Sequence, residues 1–488
     1  MFSVRILQIG EPRGIGATMT CIEFWFNQFV IFRMVVDCGI GFLAMDGQKT
    51  QYAPAHYLEG LHVHLLVVTH AHADHSGAVP HFADVHPETI ILTSRQTLEF
   101  SEVMYKDTLN HQLRDFAEGK LEAKGNDLIF DAGDVDRLMH GKQIRKINDS
   151  EWYNFVSDGR TWRIGLTSAG HIQGAMMVFI QPPQNTWTPI LVTGDISSKD
   201  KHTVRGVMLP KERSFQDFLY QPGLILITEA TNGARNRPKP LQEVVCQYIN
   251  GLHVTQAREG IDMTATFSMD RCAQMALIQN EARFYPHCDG LAQEFMKREI
   301  SDIRRRRETG EIIFFERGPE GNQHRVDFAK GVCKCKEKFG KEYFTLITPS
   351  ATLDQGRVVD HAIRLLPVRK NSISMVGHVF PDSMAKQILG MERGKTINLQ
   401  AFNKETHQPE TVAVNVVCDV IHYDGFSGHD YQNELVERID LIKPAHLVTH
   451  HCEPAGFEGL RDAVVSAKIV PSTNVHWMKH LQEIVIVA

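Results

Sequence analysis

The chain has 488 residues, 43% of them hydrophobic and 23% charged, which is the composition of a globular protein with room for two or three domains. A formal net charge of −6 excludes a general attraction to phosphate polymers, so any nucleic acid has to be held by a local groove. No run of about 18 apolar residues occurs, which excludes a membrane-spanning helix.

The segment from Met1 to Gly10 reads as a first strand and not as a basic-then-apolar export signal, so the expected location is cytoplasmic. Short apolar runs then alternate with polar turns: Phe29 to Val36, Leu65 to Val68, Thr89 to Leu92, Trp162 to Leu166, Met176 to Ile180, Ile190 to Val192 and Leu224 to Ile227. This spacing predicts a strand-rich region whose strand ends carry glycine or acidic residues, as in Val36-Asp37-Cys38-Gly39 and Thr193-Gly194-Asp195. The polar stretch from Leu98 to Met139 has helical spacing and predicts a helical layer over the sheet. After Pro238 and Pro240 the pattern changes to a helix at Leu241 to Leu252, a strand at Met263 to Phe267 and long helical stretches through Gln293 to Arg307. Strand-like runs return at Ser372 to Val376, Val412 to Val420, His446 to Val448 and Ile484 to Val487, which fits an insertion inside a first domain. The nine cysteines are scattered. Only Cys333 and Cys335 lie close, at a spacing unlike a zinc pair, and the nine are read as reduced thiols, mostly core filler.

The densest chemistry lies in Thr69-His70-Ala71-His72-Ala73-Asp74-His75, directly after the run Leu65 to Val68. A turn just past a strand can aim several side chains at one point, and imidazole nitrogens with a carboxylate oxygen suit zinc or a similar transition metal. The cluster holds too many ligands for one ion, so two are expected to share it. A histidine-rich surface loop that binds nothing is the bland alternative, and crowding beside a hydrophobic strand counts against it. Two metals need further ligands at other strand ends, and His171 in Ser168 to Gly174, Asp195 after Thr193-Gly194, and His429 in Phe426 to Asp430 are candidates. Taken singly each is as readily a hydrogen-bonded loop residue. Their joint presence makes them candidate ligands.

In order and spacing, Asp37, His70-x-His72-x-Asp74-His75, His171 and Asp195 resemble the first four motifs of the metallo-β-lactamase fold. Later segments resemble the β-CASP nucleases within it: Thr228 to Thr231 their motif A, Phe426 to His429 their motif C, and Phe267 to Gln274, His287 to Gly290 and Thr348 to Arg357 landmarks of their inserted domain. Motif A is a glutamate in Ile227-Thr228-Glu229, as in the polyadenylation endonuclease and ribonuclease J branch. The resemblance implies an α/β fold, a metallo-β-lactamase αββα sandwich with an inserted β-CASP α/β domain. Residues 1–230 would be the first part of the sandwich domain, 231–370 the insertion and 371–488 the second part.

It also implies two zinc ions per chain, with manganese as an alternative. One would sit on His70, His72 and His171, the second on Asp74, His75 and His429, with Asp195 between them. Asp37 and Glu229 would be supporting acids that orient neighbours, and a water activated by the metal pair would be the nucleophile. One landmark departs from the family. The motif B histidine of the RNA-cleaving members aligns with Gln387, which donates a hydrogen bond to phosphate but cannot protonate a leaving oxygen; His378 is the alternative.

Arg304 to Arg307 and Lys330, Lys334, Lys336, Lys338 and Lys341 read as solvated faces more readily than as a strand-binding patch. His450 and His451, followed by Cys452 and Glu453, are assigned a structural or phosphate-contact role and not a ligand role. The resulting expectation is a zinc-dependent nuclease hydrolysing single-stranded RNA in a cleft between the two domains, alone, as a homodimer or in a processing complex. The competing readings are a DNA nuclease of the same fold, a non-catalytic RNA-processing scaffold and a small-molecule hydrolase.

Overall fold

In the computed structural model, which describes residues 1–10, 15–45, 48–117, 128–184, 186–299, 301–315, 344–403 and 408–487, the chain divides into two units. The first unit takes residues 1–200, 204–236 and 428–488; the second takes 201–203 and 237–427.

Two seven-stranded sheets make the first unit. One runs in the order Glu483–Val487, Phe2–Gln8, Thr20–Phe26, Phe29–Val36, Leu65–Val67, Ile90–Thr93 and Ile144–Lys146. The other runs Val475–Trp477, His446–His450, Ile225–Glu229, Ile190–Val192, Met176–Gln181, Arg160–Ser168 and Glu151–Ser157. Strand periodicity decides which residues meet between the sheets. Leu65 and Val67 join Phe24, Phe32, Trp162 and Ile164 in the shared core, while Leu66 and Val68 point the other way and pack with helix residues Val79 and Phe82. At the centre of the sandwich Trp162 is fully buried and stacks on Phe32 at 4.2 Å. Helices Val79–Val85 and Ala132–His140 cover the outside of the first sheet. On the outside of the second, Phe215 of helix Arg213–Leu219 stacks on Trp152 at 4.4 Å and meets Phe179 at 4.9 Å. The result is the helix–sheet–sheet–helix layering that the sequence implied.

The second unit is built on a six-stranded, all-parallel sheet in the order Ile313–Phe314, Pro286–Cys288, Thr345–Thr348, Asp262–Ala265, Ser372–Val376 and Asp419–Tyr423. Helices Leu241–Ala257 and Arg271–Glu281 pack on one face; Arg357–Leu365, Met384–Leu389 and the hairpin Thr396–Asn403/Gln408–Asn415 pack on the other. The boundary read from sequence, a return to the first unit at 371, differs from this division. The runs at 372–376 and 412–420 belong to the second unit, and the chain re-enters the first at Gly428. A strand buried on both faces is apolar throughout, so its composition does not say which sheet it joins. The helical stretch read at 293–307 is two short helices, Ala292–Met296 and Ser301–Glu308. Among the described residues no helix is long and apolar enough to cross a membrane.

A carboxylate sits inside the second sheet. Asp262 is buried and accepts hydrogen bonds from the hydroxyls of Thr264 (3.0 Å), Ser372 (2.6 Å) and Ser374 (2.7 Å). Burial outweighs these donors and lifts its pKa to about 6 from an ordinary 3.8. Because the native state holds this proton more tightly than the unfolded chain does, the contribution is fully present below about pH 4 and is lost as the pH rises to about 6. The loss is on the order of 3 kcal/mol. Asp262→Asn is therefore expected to flatten the pH dependence of stability between those limits. Urea unfolding of both proteins across pH 4 to 7 checks it, and parallel stability profiles would refute it.

Candidate metal centre

Six strand ends deliver the site. Strands Phe29–Val36 and Leu65–Val67 are parallel neighbours, as are Ile190–Val192, Ile225–Glu229 and His446–His450, so the loops that follow them emerge on one edge of each sheet. Asp37 follows the first of these strands, the loop from Thr69 to His75 the second, Asp195 the third and His451 the last, while Glu229 ends its own strand. His171 lies in the loop after Arg160–Ser168. Close backbone approach needs glycine here. A Cβ on Gly39 would lie 1.8 Å from the Asp74 carbonyl oxygen, and one on Gly194, whose φ is +56°, would lie 3.0 Å from the Thr69 side chain.

Three imidazoles and one carboxylate, His70, His72, His171 and Asp195, present ligand atoms within 4.8 Å of one another. His72 Nδ1 lies 3.1 Å from both His70 Nε2 and His171 Nε2, and Asp195 Oδ2 lies 3.5 and 3.6 Å from those same Nε2 atoms. A tetrahedral ion with nitrogen ligands at about 2.0–2.1 Å spaces them roughly 3.3–3.4 Å apart, so the donor set fits one zinc-sized ion. A second group, Asp74, His75 and His451, is joined by the other oxygen of Asp195. Here His451 Nε2 is 3.2 Å from Asp74 Oδ2, and Asp195 Oδ1 is 3.3 Å from His75 Nε2 and 3.5 Å from His451 Nδ1. His75 Nε2 and Asp195 Oδ1 are buried and make no hydrogen bond, an arrangement that a cation between them would explain.

The supporting hydrogen bonds fix which ring nitrogen faces the centre. Asp37, fully buried, accepts from the Thr69 amide (2.7 Å), the Thr69 hydroxyl (2.8 Å) and His75 Nδ1 (2.8 Å). Thr69 has then spent its only hydroxyl proton, so the 3.1 Å contact with His70 Nδ1 requires that nitrogen to donate. His171 Nδ1 donates to the Gly428 carbonyl at 2.8 Å, and His429 Nδ1 to Glu229 Oε1 at 2.9 Å. In the neutral tautomers this leaves Nε2 of His70, His75 and His171 as lone-pair donors toward Asp195. Burial holds the pKa of His70, His72 and His171 below the usual histidine value, which keeps them in that ligand-competent form. Burial also opposes the charge of His429, but Glu229 and Asp195 outweigh it and lift that ring to about 9.

The structure thus gathers His70, His72, Asp74, His75, His171 and Asp195, with Asp37 and Glu229 behind them. The two later histidines both reach Asp195, His451 on one of its oxygens and His429 on the other. His451, set aside as structural or phosphate-contacting, groups with Asp74 and His75. His429, read as a ligand, lies 3.9 Å from Asp195 Oδ2 in a metal-capable group with Asp195, Glu229 and His451, and its side chain is 21% exposed. Strand topology was the missed signal. His451 follows the strand parallel and adjacent to the one ending in Glu229, so it occupies the position on its strand that Asp195 occupies two strands away. Its φ of +48°, like the +63° of Asp37, is a left-handed conformation that costs a non-glycine residue on the order of 1 kcal/mol or more.

Gln387 and His378, the two readings for motif B, both lie in the second unit and are exposed. Neither joins a metal-capable group among the described residues. The arginine run is largely neutralised or covered: Arg305 and Arg306 pair with Asp302, and Arg307 lies over the Phe314 ring at 4.8 Å. The lysines at 330–341, with Cys333 and Cys335, lie outside the described residues.

Residues 29–150 match a family model described as metallo-beta-lactamase superfamily, and residues 413–472 one described as Zn-dependent metallo-hydrolase RNA specificity domain. The chain is 23% identical over 436 residues to the protein named "Probable RNase MJ4" of Methanocaldococcus jannaschii, covering 89% of this chain and 90% of that one. It is 25% identical over 479 residues to the transcription termination factor FttA of Pyrococcus abyssi, covering 92% and 67%. With cleavage and polyadenylation specificity factor subunit 3 of Dictyostelium discoideum it shares 23% over 414 residues, covering 83% of this chain and 48% of that one, about half the relative's length. A crystal structure of a protein of unknown function from Enterococcus faecalis V583 aligns over 100% of both chains at 13% identity with a TM-score of 0.52, which shows a shared fold. The buried histidine and aspartate groups and these matches together make this a metal-using protein. Together the matches and the site support a place in the metallo-β-lactamase superfamily and, within it, among the β-CASP nucleases.

Proposed function

We propose that this protein is a zinc-dependent ribonuclease that hydrolyses phosphodiester bonds in single-stranded RNA. The observation that carries the reading is Asp195, whose two oxygens face the two buried donor groups separately. His70, His72, His171 and Asp195 would hold one ion; Asp74, His75, His451 and Asp195 would hold the other. A pair of divalent cations held by these residues would acidify water to near neutrality and offset the charge of a phosphodiester. The RNA substrate is supported by the family model matched at 413–472 and by the ribonuclease relative.

The chain's own residues supply orientation and a proton. Asp37 holds His75 and, through Thr69, His70, so both rings keep their Nε2 atoms turned toward Asp195. Glu229 is itself fixed by the amides of Ile196 (3.0 Å) and Thr231 (3.2 Å) and anchors His429 by its Nδ1. Asp430 holds the neighbouring turn: it accepts from the Ser198 amide (2.5 Å) and hydroxyl (2.6 Å), with Arg438 at 3.5 Å. His429, partly exposed and gripped on one side by a carboxylate, would protonate the leaving oxygen. It would fill the role that the sequence reading sought in Gln387 or His378.

Elemental analysis is expected to find two zinc ions per chain, and a chelator should abolish cleavage of end-labelled RNA while a matched DNA strand is cut poorly with or without it. Absence of metal from the purified protein, or chelator-resistant cleavage, contradicts the proposal. The two histidines separate by stoichiometry. His451→Ala should lose one metal equivalent, whereas His429→Ala should retain both and lose about 100-fold to 10,000-fold in kcat. The reverse pattern would return His429 to the ligand set. Asp37→Asn should keep the stoichiometry but weaken metal affinity by about 10-fold to 100-fold, read by competition with a chromogenic chelator.

A further inference from the structure

Three aromatic side chains follow two neighbouring strands at the carboxyl edge of the second unit's sheet. Strands Asp262–Ala265 and Ser372–Val376 pair in parallel with Ala265 opposite Met375, so the residues that follow them emerge side by side. Phe267 is 39% exposed, Phe380 is 46% exposed and His378 is exposed as well. A Cβ on Gly377, whose φ is +119°, would meet two carbons of the Phe267 ring at 3.2 and 3.3 Å, so that ring rests against the backbone just before His378. His378 and Phe380 in turn pack edge to face, with centroids 4.7 Å apart and planes at 86°.

The loop that carries His378 and Phe380 is fixed at both ends. His422 Nε2 bonds the Gly377 carbonyl at 2.9 Å. The Phe380 carbonyl accepts from the Ser383 hydroxyl at 2.7 Å and from the Ser383 amide at 3.1 Å. Ser383 also caps helix Met384–Leu389 by accepting from the Lys386 amide. Lone exposed apolar side chains need no explanation, but adjoining aromatic rings on a hydrogen-bonded loop mark an interaction site. In open α/β sheets, the carboxyl edge of parallel strands is where ligands bind. A protein partner covers about 800 Å² on each side, more than three partly buried rings present. An unpaired base has a flat π face of matching size, and stacking tolerates any base sequence.

We infer that Phe267, His378 and Phe380 form a stacking platform for unpaired nucleobases of the RNA substrate, an inference that rests on the ribonuclease reading. The platform would act on binding and not on bond cleavage, because stacking a base transfers no proton and touches no reacting atom. It also gives His378 a role other than the proton donor considered from sequence.

The test compares the wild-type protein with Phe267→Ala/Phe380→Ala and with Phe380→Trp. The probes are an oligoadenylate of about 12 nucleotides and an abasic ribose-phosphate strand of the same length. The double variant is expected to raise KM for oligoadenylate by about 5-fold to 100-fold with kcat unchanged, while binding of the abasic strand stays at the wild-type level. Phe380→Trp should retain the wild-type KM, and its added fluorescence should be quenched by oligoadenylate. If the wild type cleaves RNA but the double variant keeps its KM, or loses affinity equally for the abasic strand, the platform is overturned and the ribonuclease reading stands. A wild-type protein that neither cleaves nor binds RNA overturns both. A circular dichroism melt matching wild type establishes that the double variant is folded.

Discussion

Asp195 faces five imidazoles, and the rest of the first unit is arranged around that fact. One oxygen lies within 3.5 to 3.9 Å of nitrogens on His70, His171 and His429, the other within 3.3 to 3.5 Å of His75 and His451. The carboxylate is almost fully buried, and so are His70, His75, His171 and His451. Gathering so many polar groups without water is costly unless they are paired or bind ions. In neutral His70 and His171 the Nδ1 proton already goes to Thr69 and to the Gly428 carbonyl, so their Nε2 atoms turn lone pairs toward the lone pairs of Asp195. A cation resolves that conflict, and the shared carboxylate allows two of them to be close.

The scaffold tolerates the arrangement because its cost is spread over rigid elements. Three of the strands that lead into the site, Leu65–Val67, Ile190–Val192 and Ile225–Glu229, carry only buried residues. Inter-sheet contacts such as Trp162 on Phe32 set the separation of the two sheets, and that separation sets whether Asp195 from one sheet can reach His70 and His75 from the other. Packing and ligand geometry are therefore one constraint. A change that let the sheets drift by an ångström would break the convergence without touching a ligand.

Much of this was legible in the sequence, and the reasons differ by residue. His70, His72, Asp74 and His75 are visible because local spacing alone brings them to one turn. Asp37, His171 and Asp195 are visible because each sits just after an apolar run, where a sheet delivers polar groups to its rim. The nearness of His451 to Asp74 was not legible, because its neighbours, His450 and Cys452, make a strand end that reads equally well as structural, and only the pairing of its strand beside Ile225–Glu229 brings it there. The domain return was misplaced for a related reason. Ser372–Val376 is buried along its whole length, and that pattern is the same in a central strand of either unit. What sequence periodicity cannot encode is partner choice between distant strands.

The place of the insertion bears on the chemistry. The chain leaves the first unit after Asn236, shortly beyond Glu229, and re-enters at Gly428, next to His429. The two crossings are laced together within the first unit: the Asn232 side chain donates to the Asp430 carbonyl (3.3 Å), the Gln432 amide donates to the Arg235 carbonyl (3.0 Å), and Arg235 lies over the Tyr431 ring at 5.5 Å. These contacts hold the Glu229–His429 pair in register at the point where an open chain would otherwise fray. His171 depends on the same crossing, because its Nδ1 is fixed by the carbonyl of Gly428, the first residue to return. The insertion thus does more than add a sheet. Its re-entry supplies the carbonyl that sets the tautomer of His171 and, as the next residue, the histidine held by Glu229, so the orientation of both rings is tied to a single stretch of backbone.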